Sequence, residues 1–338
     1  MRTTSDVVVV GGGVMGLASA RALARSGRDV VVLEQSEVGH PRGSSHGATR
    51  IFRFAYAEAE WVALAQEALP LWRELETESG EKLLSLTGLL DTSPDSGPLR
   101  AALDERAAEY EVLDIADVAE RFHVVVEGEV VLERHGGTVR ADRALAAFSA
   151  GVQVEQGAQV RSLARTGEGV RLETSTGPVA ARVAVVAAGA WSTELLAGAG
   201  VELETRVTRE TVAYFHLRAA ELQPSVIDWN QHTGRHAYSL AAGADVLKVG
   251  LHHSGKPTDP DVAGAPDPAV VAAAAEWVQR RYPEADPEPV AAETCLYTSI
   301  EDDRFVIERD GSIVVCSACS GHGFKFAPAI GQRVARLA

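Results

Sequence analysis

At 338 residues the chain exceeds what one hydrophobic core ordinarily supports, so two lobes are expected, and hydrophobic (46%) and charged (23%) fractions of ordinary globular size exclude a disordered or fibrous chain. A formal net charge of −15, scattered along the sequence, repels phosphate backbones and argues against nucleic acid as a partner. The longest early apolar run, 7–10, is far too short to span a bilayer, so a cytoplasmic protein without a membrane partner is expected.

The first element is a buried parallel strand: Asp6 is followed by four valines, a β-branched run with no polar alternation. It enters Gly11-Gly-Gly-Val-Met-Gly16, and from Val14 to Ser26 apolar side chains at Leu17, Ala20, Leu23 and Ala24 make one face of a helix that Gly27 is placed to cap. A second strand runs from Asp29 to Leu33. This βαβ unit carries G-x-G-x-x-G at Gly11, Gly13 and Gly16, with an acid, Glu34, eighteen positions beyond the last glycine. Gly11 permits the tight turn, Gly13 lets backbone approach a pyrophosphate, and Gly16 lets helix and strand pack closely. Val14 and Met15 open the helix, whose free N–H groups suit phosphate. Glu34, with Gln35 beside it, is placed on ribose hydroxyls and disfavours a 2′-phosphate. The fingerprint predicts dinucleotide binding and leaves NAD and FAD both open.

Residues 43–56, G-S-S-H-G-A-T-R-I-F-R-F-A-Y, follow. The hydroxyls of Ser44, Ser45 and Thr49, with His46 and Arg50, suit a cofactor cradle, and Arg53 is left over for substrate. A strand pair is expected over 152–163, including Val160, and a further buried strand over 182–188 ends in Ala188-Gly189-Ala190-Trp191. The stretches 82–140 and 207–293 mix strand patterns, Pro-containing loops and one helix, 268–281. They read as an α+β substrate domain with a mixed sheet, inserted twice into a Rossmann-like α/β domain made of 1–81, 141–206 and 294–338. Three cysteines, Cys295, Cys316 and Cys319, fall too late in the chain to be a disulfide framework. Cys316 and Cys319 are spaced C-x-x-C, but no second pair completes a zinc site; they read as core, and no metal is expected.

Three further stretches are rich in functional groups: 247–253, L-K-V-G-L-H-H; 293–298, E-T-C-L-Y-T; and 319–326, C-S-G-H-G-F-K-F. Together with the fingerprint, the 43–56 stretch and A-A-G-A-W at 187–191, they stand in the order found in the monomeric sarcosine oxidase and N-methyltryptophan oxidase family, which the sequence closely resembles along nearly its whole length. The resemblance implies FAD, attached through a thioether at Cys295, with Gly321, His322, Gly323 and Phe324 approaching the flavin ring. It implies that Arg53 and Lys325 grip a substrate carboxylate, that Lys248 assists dioxygen, and that His252, Tyr238 and Tyr297 line the substrate cavity. The activity it implies is oxidation of secondary or cyclic amino acids by a monomer, with dioxygen reduced to hydrogen peroxide. Two other readings keep the fold: a biosynthetic tailoring enzyme acting on a ring-containing amino acid, and a flavoprotein passing electrons to a partner. The chain departs from the family at 239–243, which lacks a proline-containing turn, and at 227–232, which is more polar. A helix starting near Pro328 runs to Ala338, where the chain is shorter than the family it resembles.

Overall fold

The computed structural model describes residues 4–229 and 236–338. The valine run forms the strand Thr4–Val10, which pairs in parallel with Val30–Glu34 on one side and Gly177–Val186 on the other. Gln153–Gln156 and Ile313–Ser317 extend the parallel set at its two edges. Strands Val160–Thr166 and Gly169–Thr174 form an antiparallel meander on the first half of 177–186, and Val306–Asp310 pairs antiparallel with 313–317, completing eight strands. The 182–188 expectation is therefore the second half of a longer strand; its first half belongs to the meander. The strand pair expected over 152–163 is present.

Why the valines carry no polar alternation is plain in the packing. Val7 and Val9 enter one core with Leu17 and Leu23 of the helix Val14–Arg25, while Val8 and Val10 enter a second core with Leu172 and Ile313. Both faces of the strand are dry, and each buried valine contributes on the order of 1.5–3 kcal/mol. Helix 14–25 packs in turn on Ala141–Ser149 and Ala327–Leu337.

The second large sheet has nine strands. At one edge the long strands Arg206–His216 and Pro289–Ser299 pair antiparallel from Arg206↔Ser299 to Phe215↔Pro289. Val246–Leu251, Ala237–Gly243 and Ser225–Asp228 follow, then Leu89–Asp91, Val130–Glu133 and Tyr110–Leu113. The 225–228 and 89–91 strands are parallel whereas their neighbours are antiparallel, so the sheet is mixed. Its far face is covered by Pro268–Arg281, whose Trp277 and Val278 pack on Phe215, Leu247 and Val249. The 289–299 strand crosses the expected boundary at 293/294: residues 294–299 pair with this sheet.

Among the helices that sequence reading passes over are Ala59–Ser79, Gly97–Glu105 and Ile115–Arg121. The first has Pro70 in its interior, which masks the period traced by Val62, Ala65, Ala68, Trp72 and Leu75. The other two are too short for a periodic signal to stand out. Residues 239–243, where the family turn is missing, continue a strand with a register shift between Ala241 and Gly243. Among the described residues no helix is long and apolar enough to cross a membrane.

Candidate active site

A cavity of about 650 Å³ runs between the two large sheets, within the range of roughly 300–1,000 Å³ usual for ligand sites. Its first end is made almost wholly of backbone. Gly11 sits at φ +104, and a Cβ there would stand 2.5 Å from Ala187 O; a Cβ on Gly16 would fall inside the shell of Gly11 O. Glycine is therefore required at both positions, the first by conformation and approach, the second by packing. The helix beginning at Val14 has no acidic residue in its first turn and no cap from its own N-cap residue. Ser45 Oγ accepts from Val14 N at 3.0 Å, and Glu34 accepts from Gly12 N at 2.7 Å and Ser36 N at 2.8 Å. Burial pushes the Glu34 carboxyl up, but hydrogen bonds from His40, Ser36 and Gly12 outweigh it, and the net shift is down. An ionised Glu34 with unused lone pairs, a glycine turn and an open helix N-terminus fit the ribose and pyrophosphate of FAD.

The second end is built of side chains. Arg53 lies over the face of Tyr56 at 4.0 Å from guanidinium carbon to ring centre, and Lys325 Nζ donates to Tyr56 Oη at 2.8 Å and to His322 O at 2.6 Å. The two cations therefore meet around one ring. Trp61, His322 and Phe326 pack around that ring, and Phe305 packs on those three. Helix 59–79 fixes the turn that carries the lysine, because buried Trp72 donates from Nε1 to Lys325 O at 2.7 Å. Burial, and then the charge of Arg53, hold Lys325 well below its ordinary range. Among the described residues neither cation forms an ion pair with a protein carboxylate. Asp91 and Glu133 are buried in the field of Arg53; burial still pushes Glu133 up to about 7 and Asp91 above its ordinary value.

Between these ends lies Lys248, on the 246–251 strand. Its Nζ is 3.6 Å from Glu293 Oε1, which also accepts a hydrogen bond from Tyr214. Burial and the neighbouring Arg50 pull Lys248 down to about 8, against the opposing effects of Cys295 and Glu293. Arg50 itself is tied to the 43–56 loop, donating to Ser44 O at 2.8 Å and His46 O at 2.6 Å. Cys295, two residues along the strand from Glu293, is a free thiol on the cavity wall, raised by burial. Cys316 is buried, and Cys319 is half-buried on the wall with its Sγ accepting from Thr298 N at 3.4 Å.

The cavity gathers Gly11, Gly13, Val14, Met15, Glu34, Gln35, Ser44, Ser45, Thr49, Arg50, Val160, Ala188, Gly189 and Trp191 toward the nucleotide end. It gathers Arg53, Tyr238, Lys248, His252, Cys295, Tyr297, Gly321, His322, Gly323, Phe324 and Lys325 toward the other. Two expected cofactor residues stand behind the wall. Gly16 is packed against the strand, and His46 is buried with Nε2 3.0 Å from Thr294 O, so its ring braces the loop against the 289–299 strand instead of facing the cavity. Residues that sequence reading missed include Tyr56, Glu293, Tyr214, Trp61, His236 and Asp303. The 43–56 and 293–298 stretches already contained Tyr56 and Glu293; the others have no local pattern. Of the polar segment 227–232, Trp229 lines the cavity and Asp228 accepts from Trp277 Nε1 and Arg281 Nε, each at 2.8 Å. Asn230, Gln231 and His232 lie outside the described residues.

A parallel βαβ sheet with a glycine-rich turn, joined to a mixed sheet that supplies the buried Lys248, with Arg53 and Lys325 on connecting segments beside it, defines a nucleotide-cofactor oxidoreductase. Residues 6–337 match the family described as FAD dependent oxidoreductase (DAO). The chain belongs to this family, within its sarcosine oxidase and N-methyltryptophan oxidase branch, and is an FAD-dependent oxidoreductase acting on CH–NH groups. It is 30% identical to the peroxisomal sarcosine oxidase of Homo sapiens, over 97% of this chain and 90% of that one. Against the monomeric sarcosine oxidase of Bacillus sp. (strain NS-129) it is 29% identical, covering 100% of this chain and 94% of the relative. Among solved structures it is similar to NikD, an unusual amino acid oxidase essential for nikkomycin biosynthesis, with a TM-score of 0.88 and 28% identity over 98% of this chain and 92% of NikD.

Proposed function

We propose that this protein is an amine oxidase of secondary or cyclic amino acids, such as N-methyl amino acids or L-pipecolate, with dioxygen as the electron acceptor. The observation that carries the reading is the pair Arg53 and Lys325: two cations held around Tyr56, neither with a carboxylate partner among the described residues. An unpaired buried cation is costly, and a carboxylate from the substrate removes that cost while fixing the molecule at two points. The same positive field disfavours a protonated substrate amine and so favours the neutral nitrogen from which oxidation proceeds. Tyr238, Tyr297 and His252 wall the space beyond the clamp, and bind an alkyl or ring substituent by contact.

FAD would be held at its pyrophosphate by the backbone of Gly11, Gly13, Val14 and Met15, at its ribose by Glu34, and nearer the ring by Ser44, Ser45, Thr49, Arg50 and the 321–324 turn. When bound it would supply the two-electron acceptor for the hydride on the carbon next to nitrogen, with N5 as the accepting atom and dioxygen, reduced to hydrogen peroxide, as the final acceptor. Lys248 keeps a positive charge beside the place where oxygen acquires negative charge, and Glu293 with Tyr214 holds that lysine in position. Cys295 is the residue for covalent attachment, since its thiol stands on the wall beside Arg50 and Lys248. The chain acts as a cytoplasmic monomer, with the eight-stranded sheet as cofactor body and the nine-stranded sheet as substrate body.

The test is aerobic incubation of the yellow protein with sarcosine, other N-methyl amino acids, L-pipecolate and L-proline, followed by peroxide detection. Peroxide from at least one class is expected; none from any of them overturns the reading. A second reading, a tailoring enzyme for a ring-containing amino acid, is favoured by the likeness to NikD and by the wall of tilted rings made by Trp229 and His236, ring centres 4.4 Å apart, with His252 4.3 Å beyond. The same panel separates the two, because sarcosine would be negligibly turned over in the second case.

A further inference from the structure

At the rim of the cavity the described residues bring together three donors of the kind that hold a transition metal: the imidazoles of His252 and His253 and the carboxylate of Asp303. One ligating atom from each lies within 4.8 Å of the other two. His253 Nε2 is 3.1 Å from Asp303 Oδ2, and the rings of His252 and His253 are 4.0 Å apart. Successive side chains on a strand point to opposite faces, so two adjacent histidines converge only if the backbone turns between them. It does so here: the 246–251 strand ends before His252, and His253 takes φ 53; Asp303, closing the turn Glu301–Asp303, takes φ 52. Histidine and aspartate enter this left-handed region more readily than most side chains. The donors come from segments fifty residues apart, which is why no metal-ligand spacing is visible in the sequence and none was expected.

We propose that His252, His253 and Asp303 form a binding site for a divalent transition-metal ion of the zinc class, and that the bound ion competes with substrate for the cavity. Two imidazoles and one carboxylate suit zinc, cobalt or nickel and do not suit magnesium or calcium, which take oxygen donors. Ligating atoms in a tetrahedral site stand about 3.3 Å apart, given metal–ligand distances of about 2.0–2.1 Å. The remaining closure needs only side-chain rotation, since His253 and Asp303 are 40% and 46% exposed at the rim. Three protein ligands leave a fourth position for water. The surroundings steady the donors: His252 Nδ1 is 3.4 Å from Tyr297 Oη, and His322 Nε2 lies 3.0 Å from Asp303 O, tying the acid's turn to the turn that carries Lys325. Asp302, also on the cavity wall, adds negative charge, and Arg53 opposes it from inside. Because His252, His253 and Asp303 line the same cavity as Arg53 and Lys325, an ion held there stands in the path of the substrate.

The experiment uses the FAD-loaded enzyme without a histidine tag, titrated with Zn²⁺ by calorimetry and with Co²⁺ by visible absorption. One ion per chain is expected, with a raised apparent KM for the amino acid that a chelator reverses. The variants His253→Asn, which keeps a residue suited to the left-handed backbone, and Asp303→Asn should each weaken binding at least about tenfold, since even outer-sphere changes cost about 10–100-fold. Both should retain flavin content, and His253→Asn should retain metal-free turnover. Absence of stoichiometric binding, undiminished affinity in both variants, or a bound ion that leaves apparent KM unchanged would overturn the proposal.

Discussion

A buried carboxylate stands near each end of the cavity, and the two behave oppositely. Glu34, at the nucleotide end, is 4% exposed, yet hydrogen bonds from His40, Ser36 and Gly12 hold it below its ordinary value in spite of burial. Glu133, behind Arg53 at the substrate end, is fully buried and is pushed up to about 7, although it accepts from Phe54 N at 2.9 Å and His135 N at 2.6 Å. At one end hydrogen bonds outweigh burial and the charge is compensated; at the other burial outweighs the hydrogen bonds to Glu133, and Arg53 and Lys325 have no carboxylate partner among the described residues. Binding by backbone thus gives way to chemistry where charge is left for a ligand to complete.

The largest effect should come from breaking the nucleotide end. Gly11→Ala places a Cβ against Ala187 O in a backbone conformation that costs an L-residue about 1–2 kcal/mol before any clash, and the purified variant should be colourless by its visible spectrum. At the substrate end, Arg53→Met should leave the yellow colour intact and lower kcat/KM about a hundredfold or more, because losing one partner of a desolvated charge pair costs about 2–5 kcal/mol. A variant that loses both colour and activity at Arg53 would erase the distinction between the ends. Cys295→Ser sharpens it differently: acid precipitation should leave the chromophore in the pellet for the wild type and release it into the supernatant for the variant.

The nucleotide end was legible because its determinants are local. Val7 to Glu34 contains the strand, the turn, the helix and the acid in one continuous stretch, and each glycine has a separate steric reason. The substrate end was legible only through its short motifs. Arg53, Lys248, Cys295 and Lys325 were found in the stretches that carry them, but Trp61, Tyr214, His236 and Asp303 act through contacts that no spacing announces. His46 shows the reverse failure: a polar residue inside a functional stretch whose ring turns away to brace Thr294 O. Helix 59–79 was missed as an element although it positions Lys325 through Trp72, because Pro70 interrupts the pattern.

Two smaller effects probe the charges themselves. Glu133 has a folded pKa above its unfolded one, so its stabilising contribution is full below about 4.5 and is lost as pH rises through about 7. Glu133→Gln should therefore flatten the fall in Tm between pH 5 and 7 relative to wild type, by an amount on the order of 3 kcal/mol in stability. Glu34 has the opposite sign, contributing stability above its unfolded pKa that is lost as pH falls. Lys248, held at about 8, should lose its proton as pH rises through that value, and aerobic flavin reoxidation should slow there. Since Glu293 favours the charged lysine, Glu293→Gln should move that decline to lower pH, read from stopped-flow reoxidation in a pH series.

Whether Arg53 and Lys325 wait for an acid is decided by mixing the wild-type protein anaerobically with matched pairs that differ only in the carboxylate, L-pipecolate against piperidine and sarcosine against dimethylamine, while following the flavin band. Saturable bleaching by at least one acid, with its amine counterpart about a hundredfold or more less effective, is the predicted result. Equal bleaching by acid and amine, or no bleaching by any of them, would contradict it.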